Sequence, residues 1–80
     1  MINKKKLLEI IASALKVKKS KIKENTKSLD IDEWDSLGQL NILSKLDVIL
    51  DGKTAKIKKL SECYSVNSIY KLLIKHKLLK

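Results

Sequence analysis

The sequence predicts an all-α protein, and three observations favour that fold class. Apolar residues recur at three- and four-residue steps along several stretches, as they do on one face of an α-helix. Proline is absent and only two glycines are present, so little interrupts helices joined by short polar connections. No strongly alternating run of β-branched residues indicates a strand. The 80 residues are expected to form one domain, 1–80, built as a small four-helix bundle with a long first loop and a short third helix.

The first predicted helix covers residues 4–16. Asn3 can cap its start, because an asparagine side chain accepts a hydrogen bond from a free N–H of the first turn. Lysines occupy much of one face. The opposite face carries a stripe of apolar residues, namely Leu7, Leu8, Ile11, Ala12 and Leu15. This stripe predicts that one face of the helix packs into the core.

A long, charged and polar connection, 17–35, is expected between the first two helices. Connections of this length are unusual in compact domains and are often functional. Five apolar residues are spaced along it and are expected to pin it to the bundle: Val17, Ile22, Leu29, Ile31 and Trp34. Trp34 is expected to pack beneath this loop, and direct contact of its ring with a partner is the less favoured alternative.

The second predicted helix covers residues 36–50. Asp35 is a good N-cap for it, and Gly52 is well placed as its left-handed C-terminal stop. The residues expected to face the core are Ile42, Leu43, Leu46, Ile49 and Leu50. The apolar spacing therefore predicts an amphipathic helix that begins immediately after Asp35.

A short third helix is predicted within 55–63, with Ile57 and Leu60 as its buried residues. Ser65 then caps a last helix over 66–77. Lysines near the end of that helix interact favourably with the negative end of its dipole. Its core stripe consists of Val66, Ile69, Tyr70, Leu72 and Leu73.

The net charge of +9 is unevenly distributed along the chain. Residues 30–51 carry six carboxylates against the single lysine Lys45, which gives a local net charge of −5. The remaining residues carry 17 lysines against three glutamates, a net charge of +14. All 18 basic residues are lysines, whereas base-edge reading and bidentate phosphate binding favour arginine. The lysines are therefore interpreted as a solvated face, and no specific nucleic-acid partner is expected.

Residues that would support catalysis or metal binding are scarce. Cys63 is the only cysteine and His76 the only histidine, so neither an internal disulfide nor a Cys-rich metal site is expected. No acid–base pair or phosphate-binding loop is present, so the chain is not expected to be an enzyme. No stretch has the length needed to span a membrane, and a single cysteine fits a reducing compartment. We expect a cytoplasmic monomer without a membrane partner.

The most informative stretch is 34–38, which reads Trp-Asp-Ser-Leu-Gly and places Ser36 at the first turn of the second predicted helix. Unpaired N–H groups and the positive end of the helix dipole favour a phosphate at that place. A serine that carries a phosphodiester would benefit from it. Asp-Ser before a helix is also ordinary capping chemistry that needs no cofactor, so these residues alone leave both interpretations open.

The longer run 31–40, Ile-Asp-Glu-Trp-Asp-Ser-Leu-Gly-Gln-Leu, resembles the modification site of acyl carrier proteins, in the form found in many stand-alone carriers. The predicted order of helices and the long loop resemble that family as well, so the resemblance covers nearly the whole chain. It implies that Ser36 accepts a 4′-phosphopantetheine arm from coenzyme A through a separate phosphopantetheinyl transferase. It also implies that Asp35 helps to hold the Mg²⁺ of the transferase and orients the serine. The chain would then be a non-catalytic carrier that holds an acyl or aminoacyl group as a thioester.

The resemblance further implies a partner surface around the arm. Leu37 and Leu40, with Ser44, would form a small exposed apolar surface for acyl- or aminoacyl-activating and transferring enzymes, and the acidic groups Asp47 and Asp51 would help to steer them. Carriers of fatty-acid synthesis bear more acidic residues on this helix, so the sequence favours a specialised biosynthetic pathway. The alternative from a different class is a lysine-rich helical module that binds nucleic acid or an anionic membrane.

Overall fold

The computed structural model describes residues 2–79, and its regular structure is helical throughout that range. No strand is present there, and the three α-helices are α1 (Lys4–Leu15), α2 (Ser36–Ile49) and α3 (Val66–Lys75). The connections contain the short 3₁₀ turns Lys19–Lys21, Ser28–Asp30, Lys53–Lys56 and Lys58–Glu62. The all-α class is confirmed, whereas the prediction of four α-helices is wrong. Between residues 2 and 79, no helix combines the length and the apolar character that crossing a membrane requires.

Each α-helix begins after the polar residue that the sequence predicts as its cap. The side chains of Asn3, Asp35 and Ser65 each accept a hydrogen bond from the backbone N–H three residues further on, at 2.8 to 3.1 Å. A first-turn N–H has no partner inside its own helix, so each of these bonds satisfies a donor that would otherwise be unpaired. The starts of all three helices are therefore determined by local chemistry.

The C-terminal ends of the helices lie one or two residues before the predicted ends at 16, 50 and 77. Lys16, with φ 58°, is in the left-handed conformation that ends α1. Asp51 and Gly52, with φ 54° and 76°, follow α2, and the Gly52 N–H donates to the carbonyl of Asp47 at 2.8 Å. The predicted left-handed stop at Gly52 is confirmed. The bond to Asp47 satisfies a carbonyl that the ending helix leaves free.

The segment predicted as a short third helix forms two 3₁₀ turns instead, Lys53–Lys56 and Lys58–Glu62. Its buried residues Thr54, Ile57 and Leu60 recur every three residues. This spacing matches the 3 residues per turn of a 3₁₀ helix and not the 3.6 of an α-helix. Four lysines in these two turns also place like charges close together, which disfavours a continuous α-helix.

The helices and their connections enclose one cluster of buried side chains. The members that are almost completely buried are Leu7, Ile11, Ile42, Leu46, Val66, Ile69 and Leu73. All of them belong to the apolar stripes that the sequence predicts. The buried face of α1 is wider than predicted, because Ile10 and Ala14 are buried as well, whereas Leu8 is only partly buried.

The long connection between α1 and α2 is attached to the bundle by side chains and by backbone. Four predicted anchors are buried or partly buried, namely Val17, Ile22, Ile31 and Trp34. The fifth, Leu29, is 96% exposed, so its predicted role is wrong. Backbone bonds hold this part of the loop instead: the Ser28 N–H donates to the Tyr64 carbonyl at 2.8 Å, and the Val66 N–H donates to the Thr26 carbonyl at 3.0 Å. Leu29 lies at the centre of the turn Ser28–Asp30 and points away from these contacts.

Candidate functional site

Ser36 is the first residue of α2, and its side chain is exposed to solvent. The backbone is extended at Asp35, with φ −94° and ψ −166°, and becomes helical at Ser36. The serine therefore stands where the long connection enters a rigid element. An incoming reagent can reach its hydroxyl group without displacing any part of the core.

Two backbone donors lie open beside the Ser36 hydroxyl. Asp35 Oδ1 accepts from the Gly38 N–H at 2.8 Å, and the Asp35 carbonyl accepts from the Gln39 N–H at 2.9 Å. The N–H groups of Ser36 and Leu37 precede these bonds and have no acceptor within the helix. A phosphate on the Ser36 oxygen would lie beside both donors and at the positive end of the helix dipole. The residues of this turn therefore fit a phosphodiester.

Gly38 lies where the first turn of α2 approaches two other segments closely. A methyl group on its α-carbon would overlap the carbonyl oxygen of Glu33 and would lie 2.7 Å from Cδ2 of Leu15. The absence of a side chain allows the turn before Ser36 and the end of α1 to pack against this part of α2. The glycine of the Trp-Asp-Ser-Leu-Gly run therefore has a packing role.

We expect Gly38→Ala to destabilise the protein by about 2 kcal/mol. A clash with backbone belongs at the upper end of the overpacking range, about 3 kcal/mol, and alanine recovers about 1 kcal/mol of helix propensity. The overlap is with a backbone oxygen, so no side-chain rotation relieves it. Thermal unfolding followed by circular dichroism measures the effect. Asn41→Ala, at an exposed position of the same helix, is the matched control and should not lower Tm. A Gly38→Ala variant as stable as the native chain would contradict the close packing at Gly38.

A buried hydrogen-bond network begins two residues before Ser36. Nε1–H of Trp34 donates to Oε1 of Gln39 at 2.7 Å. Nε2 of Gln39 donates to the carbonyl of Cys63 at 2.8 Å and to that of Ser61 at 3.3 Å. Trp34 and Gln39 are only 3% and 4% exposed. The prediction that Trp34 packs beneath the loop is confirmed, and the network joins the loop, α2 and the end of the second 3₁₀ turn of the α2–α3 connection.

Gln39 belongs to the site, although it was not predicted from the sequence. It lies three residues before Ile42 and seven before Leu46, both of which are fully buried. Gln39 therefore occupies a core position of α2. A polar residue at the register of an apolar stripe was the signal that could have identified it, since buried polar groups require hydrogen-bond partners.

The outward face of α2 carries apolar residues among its polar ones. Leu37 and Leu40 are 66% and 60% exposed, as predicted, and Val48 is 77% exposed. Ile49 was expected to face the core, but it is exposed, so this prediction is wrong. It is the last residue of α2 and borders a surface hollow, so neighbouring elements cover only part of its side chain. A helix with apolar residues on opposite faces has one face free to bind another surface.

The two acidic residues predicted to contact partners lie in different environments. Asp47 is half-buried, and its Oδ1 accepts from the Thr54 hydroxyl at 2.9 Å. Asp51 is exposed just after α2. Asp47 therefore ties α2 to the turn Lys53–Lys56, whereas Asp51 faces solvent, as does Ser44.

A cavity of about 500 Å³ lies between α2 and the two 3₁₀ turns that follow it. It is open to solvent, and the residues around it include Leu43, Ser44, Asp47, Ile57, Lys58 and Leu60. Its volume is in the range of pockets that bind small organic groups. The walls combine apolar side chains with a hydroxyl, a carboxylate and an ammonium group, and most of the space faces solvent, so it is a shallow depression in the surface.

The other chemically reactive side chains of the described range do not form a second site. Burial raises the pKa of the Cys63 thiol, and Sγ donates to the carbonyl of Lys59 at 3.4 Å. The thiol is therefore protonated and weakly nucleophilic at neutral pH. His76 is exposed at the end of α3. Between residues 2 and 79 there is no group of three or more His, Cys, Asp or Glu side chains that could hold a metal ion.

No family model, curated protein or solved structure matches this chain. The features that indicate a function are therefore the run 31–40 and the geometry around Ser36. That geometry consists of an exposed hydroxyl at the start of a capped helix, two open N–H donors and an exposed apolar surface one turn away.

Proposed function

We propose that this protein is a carrier whose Ser36 accepts a 4′-phosphopantetheine arm and which holds an acyl or aminoacyl group as a thioester. The observation that supports it most directly is the exposed Ser36 hydroxyl at the first position of a helix capped by Asp35, within the Trp-Asp-Ser-Leu-Gly run. The protein would be a substrate of other enzymes and would catalyse no step itself.

In the loading reaction the Ser36 oxygen forms a bond to the pantetheine-bearing phosphorus of coenzyme A. The bond between that phosphorus and the bridging oxygen of the pyrophosphate breaks, 3′,5′-ADP leaves, and the hydroxyl proton passes to a base of the transferase. The open N–H groups of Ser36 and Leu37 then favour the negative charge of the phosphodiester. The arm supplies a terminal thiol that carries the cargo and keeps it tethered while successive enzymes act on it.

The two carboxylate oxygens of Asp35 have different tasks in this proposal. Oδ1 accepts the capping bond from Gly38, whereas Oδ2 takes no part in that bond and is left for the Mg²⁺ of the transferase. Mg²⁺ prefers carboxylate and phosphate oxygens. Because the cap holds the carboxylate at the start of the helix, Asp35 stays beside Ser36 whenever α2 is formed.

Leu37 and Leu40 supply the apolar contact for the transferase and for the acyl- or aminoacyl-activating and transferring enzymes. Both side chains are mostly exposed within one turn of Ser36. Asp51 is free to act in long-range steering, whereas Asp47 acts through its bond to Thr54, which holds α2 against the next turn. The cavity beside α2 offers space for part of the carried group.

The residue types on the exposed side of α2 favour a specialised pathway over primary fatty-acid synthesis. Asn41, Lys45 and Val48 stand at positions where carriers of fatty-acid synthesis often have acidic residues. Nζ of Lys45 donates to the Ser13 hydroxyl at 2.6 Å, so this lysine fastens α2 to α1. Val48 is exposed. Partner enzymes would therefore meet a surface with more apolar and less acidic character than those carriers present.

The proposal is tested by the intact mass of the chain after incubation with coenzyme A, Mg²⁺ and a broad-range phosphopantetheinyl transferase. One phosphopantetheinyl group per chain is the expected result. Absence of an adduct with several such transferases would contradict it. If the unmodified chain also bound duplex DNA or anionic vesicles tightly at physiological salt, the lysine-rich binding module would replace the carrier, because non-specific lysine–phosphate attraction weakens steeply as salt increases.

A further inference from the structure

One buried amide side chain connects three separate segments around Ser36. Oε1 of Gln39 accepts from the indole of Trp34, and Nε2 donates to the carbonyls of Ser61 and Cys63. Within residues 2–79, no buried side-chain nitrogen or oxygen lacks a hydrogen-bond partner. The amide group therefore makes three hydrogen bonds, of which the bond to Trp34 is buried and the bonds to Ser61 and Cys63 are partly buried. A hydrogen bond shielded from water is stronger than one at the surface.

An apolar side chain of similar volume would fill the same space, so packing alone does not explain an amide here. With methionine in place of Gln39, the indole N–H of Trp34 would lose its partner while still buried. The carbonyls of Ser61 and Cys63 would lose theirs at partly buried positions. Such unpaired groups are unfavourable. The amide therefore restricts the three segments to the one arrangement in which all these bonds form.

The restricted stretch contains Ser36. Trp34 lies two residues before the serine and Gln39 three residues after it, so their bond closes a short loop of chain around the hydroxyl group. The same amide fixes this loop to the segment 58–63, on the side of α2 where the cavity lies. The position of Ser36 is thereby set relative to the surfaces on both sides of it.

We propose that Gln39 is a positioning residue, acting through Trp34, that holds Ser36 and its flanking surface in the arrangement the transferase binds. This inference rests on the proposed modification of Ser36. Without the amide, the chain samples other arrangements of the turn before α2. The apparent affinity of the transferase then falls in proportion to the fraction of chains that remain in the competent arrangement. The reaction rate of a chain that is already bound is unaffected.

The test is the steady-state kinetics of Ser36 loading by a broad-range transferase with coenzyme A and Mg²⁺. Gln39→Met keeps an unbranched side chain and removes the amide. Trp34→Phe keeps an aromatic ring and removes only the indole N–H. We expect KM for the carrier to rise about tenfold in Gln39→Met and several-fold in Trp34→Phe, with kcat unchanged, because a net hydrogen-bond contribution of this kind corresponds to factors of about two to ten. The double variant should be no worse than Gln39→Met alone, since both changes break the same bond.

Ile69→Val is the matched control, because it weakens the core on α3 at a fully buried position and leaves the amide network intact. Its Tm should fall while its KM stays at the native value. The indole N–H of Trp34, the only tryptophan, gives a readout independent of loading: its hydrogen exchange should be slow in the native chain and fast in Gln39→Met.

Unchanged KM in both Gln39→Met and Trp34→Phe, with lowered Tm, would overturn the positioning role and leave a purely structural one. If Gln39→Met does not fold, Trp34→Phe decides between these outcomes alone, because it retains the bonds to Cys63 and Ser61. A native chain that accepts no adduct would instead overturn the proposed function, and native loading is measured in every series.

Discussion

Replacing Ser36 with alanine should leave the chain at its unmodified mass under conditions in which the native chain gains one phosphopantetheinyl group. Alanine has no oxygen to form the bond to phosphorus, so the expected loss is complete. Four other serine hydroxyls already take part in hydrogen bonds within the fold, those of Ser13, Ser61, Ser65 and Ser68. None of these four lies at the first position of a helix whose preceding residue is a capping carboxylate.

The fold of the Ser36→Ala variant should be intact, because Asp35 supplies the capping bond and does not depend on the serine hydroxyl. Surface substitutions of this kind change stability by about 0.5 kcal/mol or less, which circular dichroism melts can verify. Ser20→Ala is the matched control, since Ser20 is an exposed serine in the turn Lys19–Lys21 and lies outside the partner surface; this variant should be loaded as the native chain is. An adduct on Ser36→Ala, located on another serine by peptide mapping, would contradict the site assignment.

The helix starts and the core stripes could be predicted from the sequence because they depend on neighbouring residues. A capping side chain such as that of Asp35 acts three residues away, and the spacing of Ile42 and Leu46 is visible in the chain itself. The 3₁₀ turns were predicted as one α-helix because Ile57 and Leu60 lie three residues apart, a separation that both helix types share. Thr54, three residues before Ile57, is buried as well. This third member of the repeat is what distinguishes the 3₁₀ spacing from that of an α-helix.

The parts of the site that could not be predicted depend on segments distant in the sequence. The role of Gly38 follows from the return of the chain at Glu33 and, in part, from the approach of Leu15 in α1, which lies more than twenty residues earlier in the chain. The role of Gln39 follows from carbonyl groups of the segment 58–63. The exposure of Leu29 follows from backbone bonds that take over its expected anchoring role. In contrast, the exposure of Leu37 was predictable, because this residue lies opposite the apolar stripe of its own helix.

Truncating Leu46 to alanine should destabilise the protein by about 2–5 kcal/mol, because the side chain is fully buried and the change leaves a cavity. A domain of this size has a total stability of about 4–12 kcal/mol, so a substantial part of it is lost. The corresponding fall in Tm is about 10–30 °C. Circular dichroism melts measure it directly, with Leu37→Ala as the comparison on the same helix.

Leu37→Ala should change the free energy of unfolding by only about 0.5 kcal/mol or less, because most of this side chain is already in contact with water. Leu37→Glu should likewise fold, yet it should slow the loading of Ser36, since a carboxylate would replace the apolar group that we propose contacts the transferase. The two positions are thus expected to separate stability, which depends on Leu46, from recognition, which the proposal assigns to Leu37. Equal loss of stability at Leu37 and Leu46 would mean that the two faces of α2 are assigned wrongly. Native loading kinetics in Leu37→Glu would remove Leu37 from the partner surface.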